Sequence, residues 1–571
     1  MYTGSTPLVK SKILFSAFVL VSVVILVPIA VEVILSVARN GGVFSYTIDD
    51  AYIHLAISRR IQEGFYGINR GEFAAPASSI LWPLLLAIVP SSIPGWDLLP
   101  LLINLLSAVV IGWVFLRVLH VDGQMNRLVA ICIGVSISIS LNLSAVVMSG
   151  MEHGLQVALT SVGIWGLIEF ERCGQIPPVA VAALIVGPWI RYENLAITIP
   201  ACVYLSLVGR WRSAALISAV SVTGLAAFSG VLIAHGVSGI PTSIQSKSIV
   251  FRAVPALVSV LSHGRSALTR PVYAEILSES AHMSFLVAIV SNLKGNLTHM
   301  QSWILLLLAV PIFVRLLRPR KPVDRRLAGL CLVSVMLHMF GGTFDWPPFF
   351  FGYEIYIFAT VLIIIGALYR DFLVELIPLS GKPTSVKLAG AVAVIALTTI
   401  VFHRYANALL TIPATSNFHY LQQMTLARYV NEYWKRPIGL EPLGVAMWTD
   451  NYILDYEGLA SQEVLNALGS QPPDLLWMDK LAKRHGIGLV IKYWTPAIPS
   501  FWPLIGRLRW NRRYGLPDGV QFYATSSALA PEIRAGLQSF AKTLPYGAWL
   551  EVCTVPSFGE SCVHRTVYGP L

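Results

Sequence analysis

The run ILFSAFVLVSVVILVPIAVEVILSV at residues 13–37 decides the class of this protein, because it is long and apolar enough to cross a lipid bilayer. Lys10 and Lys12 precede the run, as basic residues precede the core of a signal peptide. The run is too long for a cleaved signal, and no obvious small-residue cleavage site accompanies it. We therefore interpret it as a retained first membrane span.

The composition of the whole chain agrees with this interpretation. Of the 571 residues, 55% are hydrophobic and only 12% are charged, and the mean hydropathy is +0.67. These values exclude a soluble globular protein and favour a polytopic membrane protein. The net charge of +11 does not predict a nucleic-acid partner, because the basic residues are spread over short connections between apolar segments, where they set membrane orientation.

Apolar segments recur along the first two thirds of the chain and predict about eleven membrane crossings. They lie at 13–37, 97–117, 127–147, 153–171, 177–190, 195–208, 212–236, 301–317, 326–343, 348–369 and 387–402. The proline-interrupted segment 76–93 is not counted, because a span there would break the positive-inside pattern. The N-terminus is then cytoplasmic, and the outer face holds loops 38–96 and 237–300, the turn around Asp345 and the region after about His403.

The C-terminal region predicts a small α/β domain outside the cytoplasm. Short β-type runs, AMWTD at 446–450, GIGLVIKYW at 486–494 and QFYATS at 521–526, alternate with helical stretches such as YLQQMTLARYVNEYW. We expect a transmembrane module at 1–402 and an α/β domain at 403–571. Cys553 and Cys562 lie close together there and form either a disulfide or two free thiols.

Adjacent aspartates, Asp49 and Asp50, follow the first span at the start of the predicted amphipathic helix AYIHLAISRRIQEG. Their negative charge is favourable at a helix N-terminus. Neighbouring helical residues point about 100° apart, so only one of the two faces a given substrate. The other caps the helix or binds a partner cation. Whichever aspartate faces the substrate is a candidate general base. The alternative is a solvated pair that only caps a helix.

Further acids and bases fall near the outer membrane surface. They are Glu152 in SGME, Arg191 and Glu193 in RYEN, Lys247 in PTSIQSK and Glu354 in GYE. Such a mixture suits a reaction in which a carboxylate accepts a proton while cations hold a phosphate. Arg191 and Glu193 pairing only with each other, and Lys247 as a solvated loop residue, are the alternatives. The absence of metal-ligand spacing, a G-x-S-x-G elbow and a phosphate-binding P-loop disfavours metalloproteases, serine hydrolases and ATP-driven pumps.

In order, these motifs resemble those of the GT-C type membrane glycosyltransferases that use polyprenyl-phosphate sugars, particularly the bacterial arabinofuranosyltransferase-like branch. The matching stretches are IDDAYI with Asp49, Asp50 and Tyr52, INRGE with Asn69 and Glu72, SGME with Glu152, RYEN with Arg191 and Glu193, PTSIQSK with Lys247, GYE with Tyr353 and Glu354, and the tail stretches NFHYLQQMTLARYV and ILDYEGLASQEVL. The departures are Tyr192 for proline, Asn194 for glycine, Thr242 for asparagine and Gly352 for arginine.

The resemblance implies a polytopic α-helical membrane protein with a C-terminal periplasmic α/β domain in a bacterial inner membrane. It implies transfer of a sugar from polyprenyl monophosphate to a glycan or lipid acceptor, with inversion. Asp49 would be the base, supported by Asp50 and Glu152. Arg191 and Lys247 would hold the donor phosphate, with Tyr52, Glu72, Glu193, Tyr353 and Glu354 in support.

The resemblance implies no required cofactor, although a divalent cation is compatible with it. Two other classes stay open. A lipid or glycan transporter or flippase would place its charges near the bilayer midplane on repeat-related helices, and no repeat is visible here. A non-catalytic envelope assembly protein would not need the aspartates.

Overall fold

A computed structural model describes residues 7–119, 127–237, 239–247, 285–344, 352–370, 385–470, 475–493, 498–510, 519–557 and 565–569. The chain divides into two compact units. The helical unit comprises Met1–Ala38, Leu98–Ala226 and Val290–Pro413, and the sheet unit comprises Arg39–Asp97, Ala227–Ile289 and Ala414–Leu571.

Each predicted span coincides with helix in the described part of the chain. The helices are Pro7–Arg39, Leu99–Leu119, Arg127–Ser140, Leu143–Met148, His153–Cys173, Pro178–Ile190, Leu195–Leu207, Trp211–Ala234, Phe285–Asn296, Met300–Leu317, Pro322–Gly341, Ile355–Leu368 and Ser385–Tyr429. The predicted span 127–147 is broken, because Asn142 adopts a left-handed conformation with φ of 44°, which asparagine tolerates better than most residues.

Four of the described helical segments are long and apolar enough to cross a membrane. They are Leu14–Arg39, Trp96–Leu119, Trp211–Ala234 and Met300–Leu317. With the C-terminal sheet described below, they confirm the predicted fold class. The total of about eleven crossings stays a prediction.

Small residues bring neighbouring helices of the helical unit close together. A Cβ at Gly166 would lie 2.0 Å from the Cβ of Ala180 on the next helix, and one at Gly154 would lie 2.2 Å from Oδ1 of Asn104. Asn104 Nδ2 in turn donates to the carbonyl of Met151, 2.8 Å away. Small residues are the usual means of close helix packing in membranes, and here they fix the backbone on both sides of Glu152.

The sheet unit contains a seven-stranded mixed sheet with the order β2-β1-β3-β5-β4-β6-β7. The strands are β1 Ile438–Leu440, β2 Ile453–Asp455, β3 Leu489–Tyr493, β4 Leu504–Trp510, β5 Gly519–Ala524, β6 Ala548–Ser557 and β7 Arg565–Tyr568. β1 pairs in parallel with β2 and β3, and the remaining pairs are antiparallel. A bulge interrupts β4 between Leu504 and Gly506.

Helices and aromatic side chains cover the sheet. Helices Gln462–Ser470 and Leu476–Arg484 contribute Val464 and Met478 to a core with Trp502. The helix Ser385–Tyr429 is named the long helix. The ring of its last residue, Tyr429, contacts the rings of Phe522 and Phe540. The helix Ala530–Ala541 carries Phe540. The sheet therefore belongs to a packed α/β domain, as predicted.

Two predicted strands are confirmed and one is wrong. GIGLVIKYW contains β3 and QFYATS contains most of β5. AMWTD is instead not a strand, because Ala446 and Met447 end the 3₁₀ helix Leu443–Met447 and the next three residues have no regular structure. The reason is tertiary, because Arg59 donates to the carbonyl of Met447 and Arg60 to that of Thr449, which holds this segment against a helix from the first outer loop.

The first outer loop forms the helix Asp50–Gln62, named here the Asp50 helix, as predicted. Within 76–93 the chain forms only the short helix Leu81–Leu86, in agreement with its exclusion as a span. The proposed domain boundary at 402/403 lies inside the continuous helix Ser385–Tyr429. The division into domains 1–402 and 403–571 stays a prediction.

Candidate functional site

Asp49 and Asp50 lie at the N-terminus of the Asp50 helix and are both half-buried. The backbone carbonyl of Asp49 accepts hydrogen bonds from the amides of Tyr52 at 2.9 Å and Ile53 at 3.3 Å. Asp49 occupies the N-cap position, but its side chain makes no capping hydrogen bond. Asp49 is therefore not the member of the pair that caps the helix, and a capping or cation-binding role for Asp50 stays a prediction.

Three further carboxylates share the sheet unit with this pair and act electrostatically on one another. Although part of the Glu457 side chain is exposed, desolvation, then the charges of Asp455 and Glu441, and then those of Asp49 and Asp50 raise the pKa of Glu457 to about 8. These five residues are named the carboxylate cluster. Lys492 offsets the charge of Glu441, and the charges of the other acids favour a proton on Glu457.

The loop that carries Glu457 is built by Asp455. Its carboxylate accepts hydrogen bonds from the amides of Glu457 at 2.9 Å and Ala460 at 2.6 Å. Gly458 in the same turn has φ of +76°, a conformation that L side chains rarely adopt. Burial nevertheless raises the pKa of Asp455 to about 6. The stretch ILDYEGLAS is thus a turn that fixes a carboxylate next to β2.

Residues next to β1, in β3 and in the long helix form further polar contacts near the carboxylate cluster. Glu441 and Lys492 form a buried ion pair at 2.7 Å, and Glu441 also accepts from the amide of Tyr493. Gln422 Nε2 donates to the Tyr493 hydroxyl at 2.7 Å. Burial, followed by the charge of Asp49, raises the pKa of Tyr493 well above its usual range.

A charged network holds the Asp50 helix in place. The Arg60 side chain is only 2% exposed and donates to the carbonyls of Ile68 and Thr449 and to the carboxylates of Glu63 and Asp450. Arg59 also binds Asp450, and Arg70 binds both acids. Arg59, Arg60, Arg70, Glu63 and Asp450 are named the Arg60 network. The hydrogen bond from Arg70, more than that from Arg60, holds the pKa of Glu63 down at about 2.

The remaining predicted residues of the sheet unit make defined contacts. Asn69 pairs with both the amide and the carbonyl of Ile453, each at 2.9 Å, and its Nδ2 also donates to Glu72 at 2.7 Å. INRGE therefore joins the first outer loop to the edge strand β2.

Tyr52 and the PTSIQSK motif have equally defined places. The Tyr52 hydroxyl accepts from the amide of Tyr46 at 2.9 Å, and its ring lies 4.7 Å from that of Trp448. The Thr242 hydroxyl donates to the carbonyl of Ala75 at 3.0 Å. Lys247 ends the short helix Thr242–Lys247.

In the helical unit, Arg191 joins two of the predicted carboxylates. It lies 2.8 Å from Glu152 and 2.6 Å from Glu193, and the Arg191 side chain is only 2% exposed. Its guanidinium carbon lies 4.8 Å from the centroid of the Tyr353 ring, within the range of a cation–π contact. The predicted Arg191–Glu193 pair is confirmed, and Glu152 is a second partner. These four residues are named the Arg191 cluster.

Local backbone geometry explains this cluster. Helix Pro178–Ile190 ends where Arg191 becomes extended, and a short 3₁₀ turn, Tyr192–Asn194, leads into the next helix. Asn194 accepts from Gln156 at 3.0 Å and Thr160 at 3.3 Å, which ties the turn to the helix after Glu152. Glu354 is fully buried at the N-cap position of helix Ile355–Leu368, next to Tyr353.

The predicted site residues thus fall into two groups. Asp49, Asp50, Tyr52, Glu72 and Lys247 belong to the sheet unit, and Glu152, Arg191, Glu193, Tyr353 and Glu354 to the helical unit. Within the described residues, no group of three or more His, Cys, Asp or Glu side chains is arranged to hold a metal ion, and a divalent cation stays a prediction.

Sequence reasoning missed Glu441, Glu457, Lys492 and the Arg60 network. The signal for Glu457 was present, since it lies in ILDYEGLAS, which the motif comparison selected. Glu441 and Lys492 gave no local signal, because their pairing depends on the register of β1 and β3.

No protein-family model and no curated protein matches this chain. Among solved structures, it is similar to ArnT from Cupriavidus metallidurans bound to undecaprenyl phosphate, with 12% identity and a TM-score of 0.41 over 88% of this chain and 98% of that chain. It is also similar to an oligosaccharyltransferase from Archaeoglobus fulgidus in the apo form, with 12% identity and a TM-score of 0.40 over 90% of this chain and 77% of that chain. Likenesses this remote say nothing about the reaction.

Proposed function

We propose that this protein is a membrane glycosyltransferase that moves a sugar from a polyprenyl-phosphate donor to a cell-envelope acceptor on the periplasmic side of a bacterial inner membrane. The observation that carries the proposal is the carboxylate cluster around Asp49 and Asp50. The ordered motif resemblance supplies the donor class. Asp49 is the proposed general base, and inversion follows from direct attack by the acceptor hydroxyl.

The carboxylate cluster suits the charge changes of glycosyl transfer. The sugar passes through an oxocarbenium-like transition state, which negative charge stabilises. The acceptor hydroxyl must also lose a proton, and a half-buried carboxylate at hydrogen-bond reach can take it. Desolvation, Asp455 and Glu441 raise the pKa of Glu457 most, and the charges of Asp49 and Asp50 add to that shift, so Glu457 lies within electrostatic reach of the proposed base.

The Arg191 cluster contains the arginine that the motif resemblance assigns to the donor phosphate. Glu152 and Glu193 hold the guanidinium at 2.8 and 2.6 Å, so its orientation is set before a ligand arrives. Arginine matches phosphate geometry through its planar fork of N–H donors. We assign Arg191 to the donor phosphate, with Glu152 and Glu193 positioning it. The same role for Lys247 rests on the motif resemblance alone.

The disulfide bond of Cys553 supports the assigned side of the membrane. Disulfides persist in oxidising compartments such as the bacterial periplasm and are rare in the cytosol. Cys562, the predicted partner, lies outside the described residues. A lipid-carried donor also fits this side, because nucleotide sugars are made in the cytoplasm.

The test uses purified full-length protein in lipid nanodiscs and a panel of polyprenyl-phosphate pentoses and hexoses, with release of polyprenyl phosphate as the readout. We expect release with at least one donor and a loss of at least 1,000-fold for Asp49→Asn, within the combined range for general-base and electrostatic catalysis of roughly 10²–10⁴ or more. The anomeric configuration of the product, read by NMR, tests inversion.

A matched control is Asp97→Asn, which removes a carboxylate elsewhere in the same unit. Asp97 uses its backbone carbonyl, not its carboxylate, to accept from Tyr46, so this variant should keep transfer. Full transfer by a folded Asp49→Asn variant would remove the base assignment. Donor translocation in sealed vesicles without sugar release would favour the transporter alternative instead.

A further inference from the structure

A groove in the sheet unit lies beside the Asp50 helix and has a cavity volume of about 400 Å³. It is named the Trp448 groove, and its walls include Tyr420, Arg428, Asn431, Glu432, Trp448 and Pro545. The volume falls in the range of small-molecule sites, roughly 300–1,000 Å³. The groove contributes nothing to the reaction steps argued above, so its lining calls for a separate explanation.

The chemistry of the lining matches a saccharide. Tyr420 and Trp448 offer aromatic faces, which pack against the C–H faces of sugar rings, and both carry a polar edge. Arg428, Asn431 and Glu432 offer planar polar groups that can bind adjacent hydroxyls. Glu432 is exposed and has no ion pair within the part of the chain that the structure describes. Aromatic faces next to planar polar groups are poorly suited to an acyl chain.

The backbone under the groove has an uncommon form. Asn431 and Glu432 belong to a π-helical turn, Val430–Trp434, that ends the long helix. π-Turns are rare and occur frequently at functional sites. Asn431 Nδ2 donates to the carbonyl of Trp448 at 2.8 Å, which ties the two walls together.

The groove is coupled to the proposed base through Trp448. The Trp448 ring contacts the ring of Tyr52 at 4.7 Å between centroids, and Tyr52 lies two residues after Asp50. Arg59 binds the carbonyl of Met447 and Arg60 that of Thr449, on either side of Trp448. A ligand on Trp448 therefore lies against a wall that the Asp50 helix positions.

We infer that the Trp448 groove binds a neutral saccharide segment of the acceptor and presents the acceptor near Asp49. That the saccharide belongs to an acceptor rests on the proposed function. That the groove binds a saccharide does not depend on the proposed function. The acceptor class is then a glycan, or a lipid or protein that already carries one.

The experiment measures binding to the full-length protein in detergent by saturation-transfer NMR, with maltotriose, mannotriose and arabinotriose as separate probes. We expect at least one to bind with a Kd of about 1 mM or tighter. Tyr420→Ala and Glu432→Ala should each raise that Kd at least fivefold. Tyr546→Ala is the control, because Tyr546 is an exposed aromatic residue next to Pro545 but is not part of the groove lining.

Melting temperatures establish whether each variant is folded. If Glu432→Ala is not folded, Glu432→Gln takes its place. No binding of any probe at ten times the expected Kd would overturn the inference, as would binding that both groove substitutions leave unchanged. If the protein binds a saccharide in the groove but fails every transfer assay, the inferred binding site is supported and the proposed function is rejected. If the protein transfers sugar but the groove substitutions leave the acceptor KM unchanged, the proposed function is supported and the inferred acceptor site is rejected.

Discussion

Glu457 reports how much negative charge the sheet unit gathers around Asp49 and Asp50. Its pKa of about 8 has desolvation as the largest cause and four carboxylates as the others. An ordinary protein surface disperses like charges, because crowding them lowers stability. A cluster that retains them is typical of sites where charge serves a ligand or a reaction.

The pH dependence of stability should expose this cost. An acid whose pKa is raised from 4.5 to about 8 in the folded state keeps a proton that the unfolded chain releases, so stability falls as pH rises through that range. Glu457→Gln should therefore raise the melting temperature at pH 9 and leave it unchanged at pH 4. Thermal unfolding followed by tryptophan fluorescence measures both values.

Asp49→Asn is the informative comparison for that measurement. Removing the Asp49 charge should lower the pKa of Glu457 and move the pH-dependent loss of stability to lower pH. Equal pH profiles for wild-type protein and both variants would show that the cluster carries no such interaction.

At the scale of elements, the Arg60 network explains why the Asp50 helix stays on the sheet unit. The helix is short, and isolated helices shorter than about 12–15 residues are marginal in water. Tertiary contacts must therefore hold it. The buried Arg60 supplies them through two backbone carbonyls and two carboxylates.

Arg60→Ala should lower the free energy of unfolding by about 1–3 kcal/mol, the usual cost of leaving a buried hydrogen-bonding group without its partner, because the carbonyls of Ile68 and Thr449 lose their donor. Sugar transfer should also fall, since the helix carries Asp49 and Asp50. Arg436→Ala is the control, because Arg436 and Glu532 form an exposed pair that contributes about 0–1 kcal/mol. Urea unfolding compares the two variants, and similar losses in both would contradict the assigned role of Arg60.

The elements also mark the limit of sequence-based prediction. Apolar length located the helices, and the β-branched run at 486–494 located β3, because local composition sets both patterns. AMWTD failed because Arg59 and Arg60, almost 400 residues earlier in sequence, hold that segment in another conformation. Glu441 and Lys492 escaped prediction because their pairing depends on the register of β1 and β3, and the Trp448 groove because its walls come from separate segments between Tyr420 and Pro545. The Arg191–Glu193 pair could be predicted because the two residues are almost adjacent along the chain.

At the scale of the whole molecule, basic side chains mark one end of several helices of the helical unit. Helix His153–Cys173 begins beside Glu152 and has Arg172 in its last turn. Arg172 binds the carbonyl of Val118, and Arg210 that of Gly174, so basic side chains gather at one end. The positive-inside rule predicts that this end faces the cytoplasm.

This assignment predicts which cysteines a membrane-impermeant maleimide reaches in spheroplasts. Cys173 is exposed in the described structure but should label only after lysis, because it lies at the basic end. Ser539→Cys, on the exposed face of helix Ala530–Ala541, should label before lysis. Each site is tested in a background where Cys132, Cys202 and Cys331 are serine, and Cys173 is also serine when Ser539→Cys is tested. The opposite result, with Cys173 labelled in intact spheroplasts and Ser539→Cys protected, would show that the orientation is inverted. The carboxylate cluster would then lie on the cytoplasmic side, and a lipid-carried donor would no longer be favoured over a nucleotide sugar.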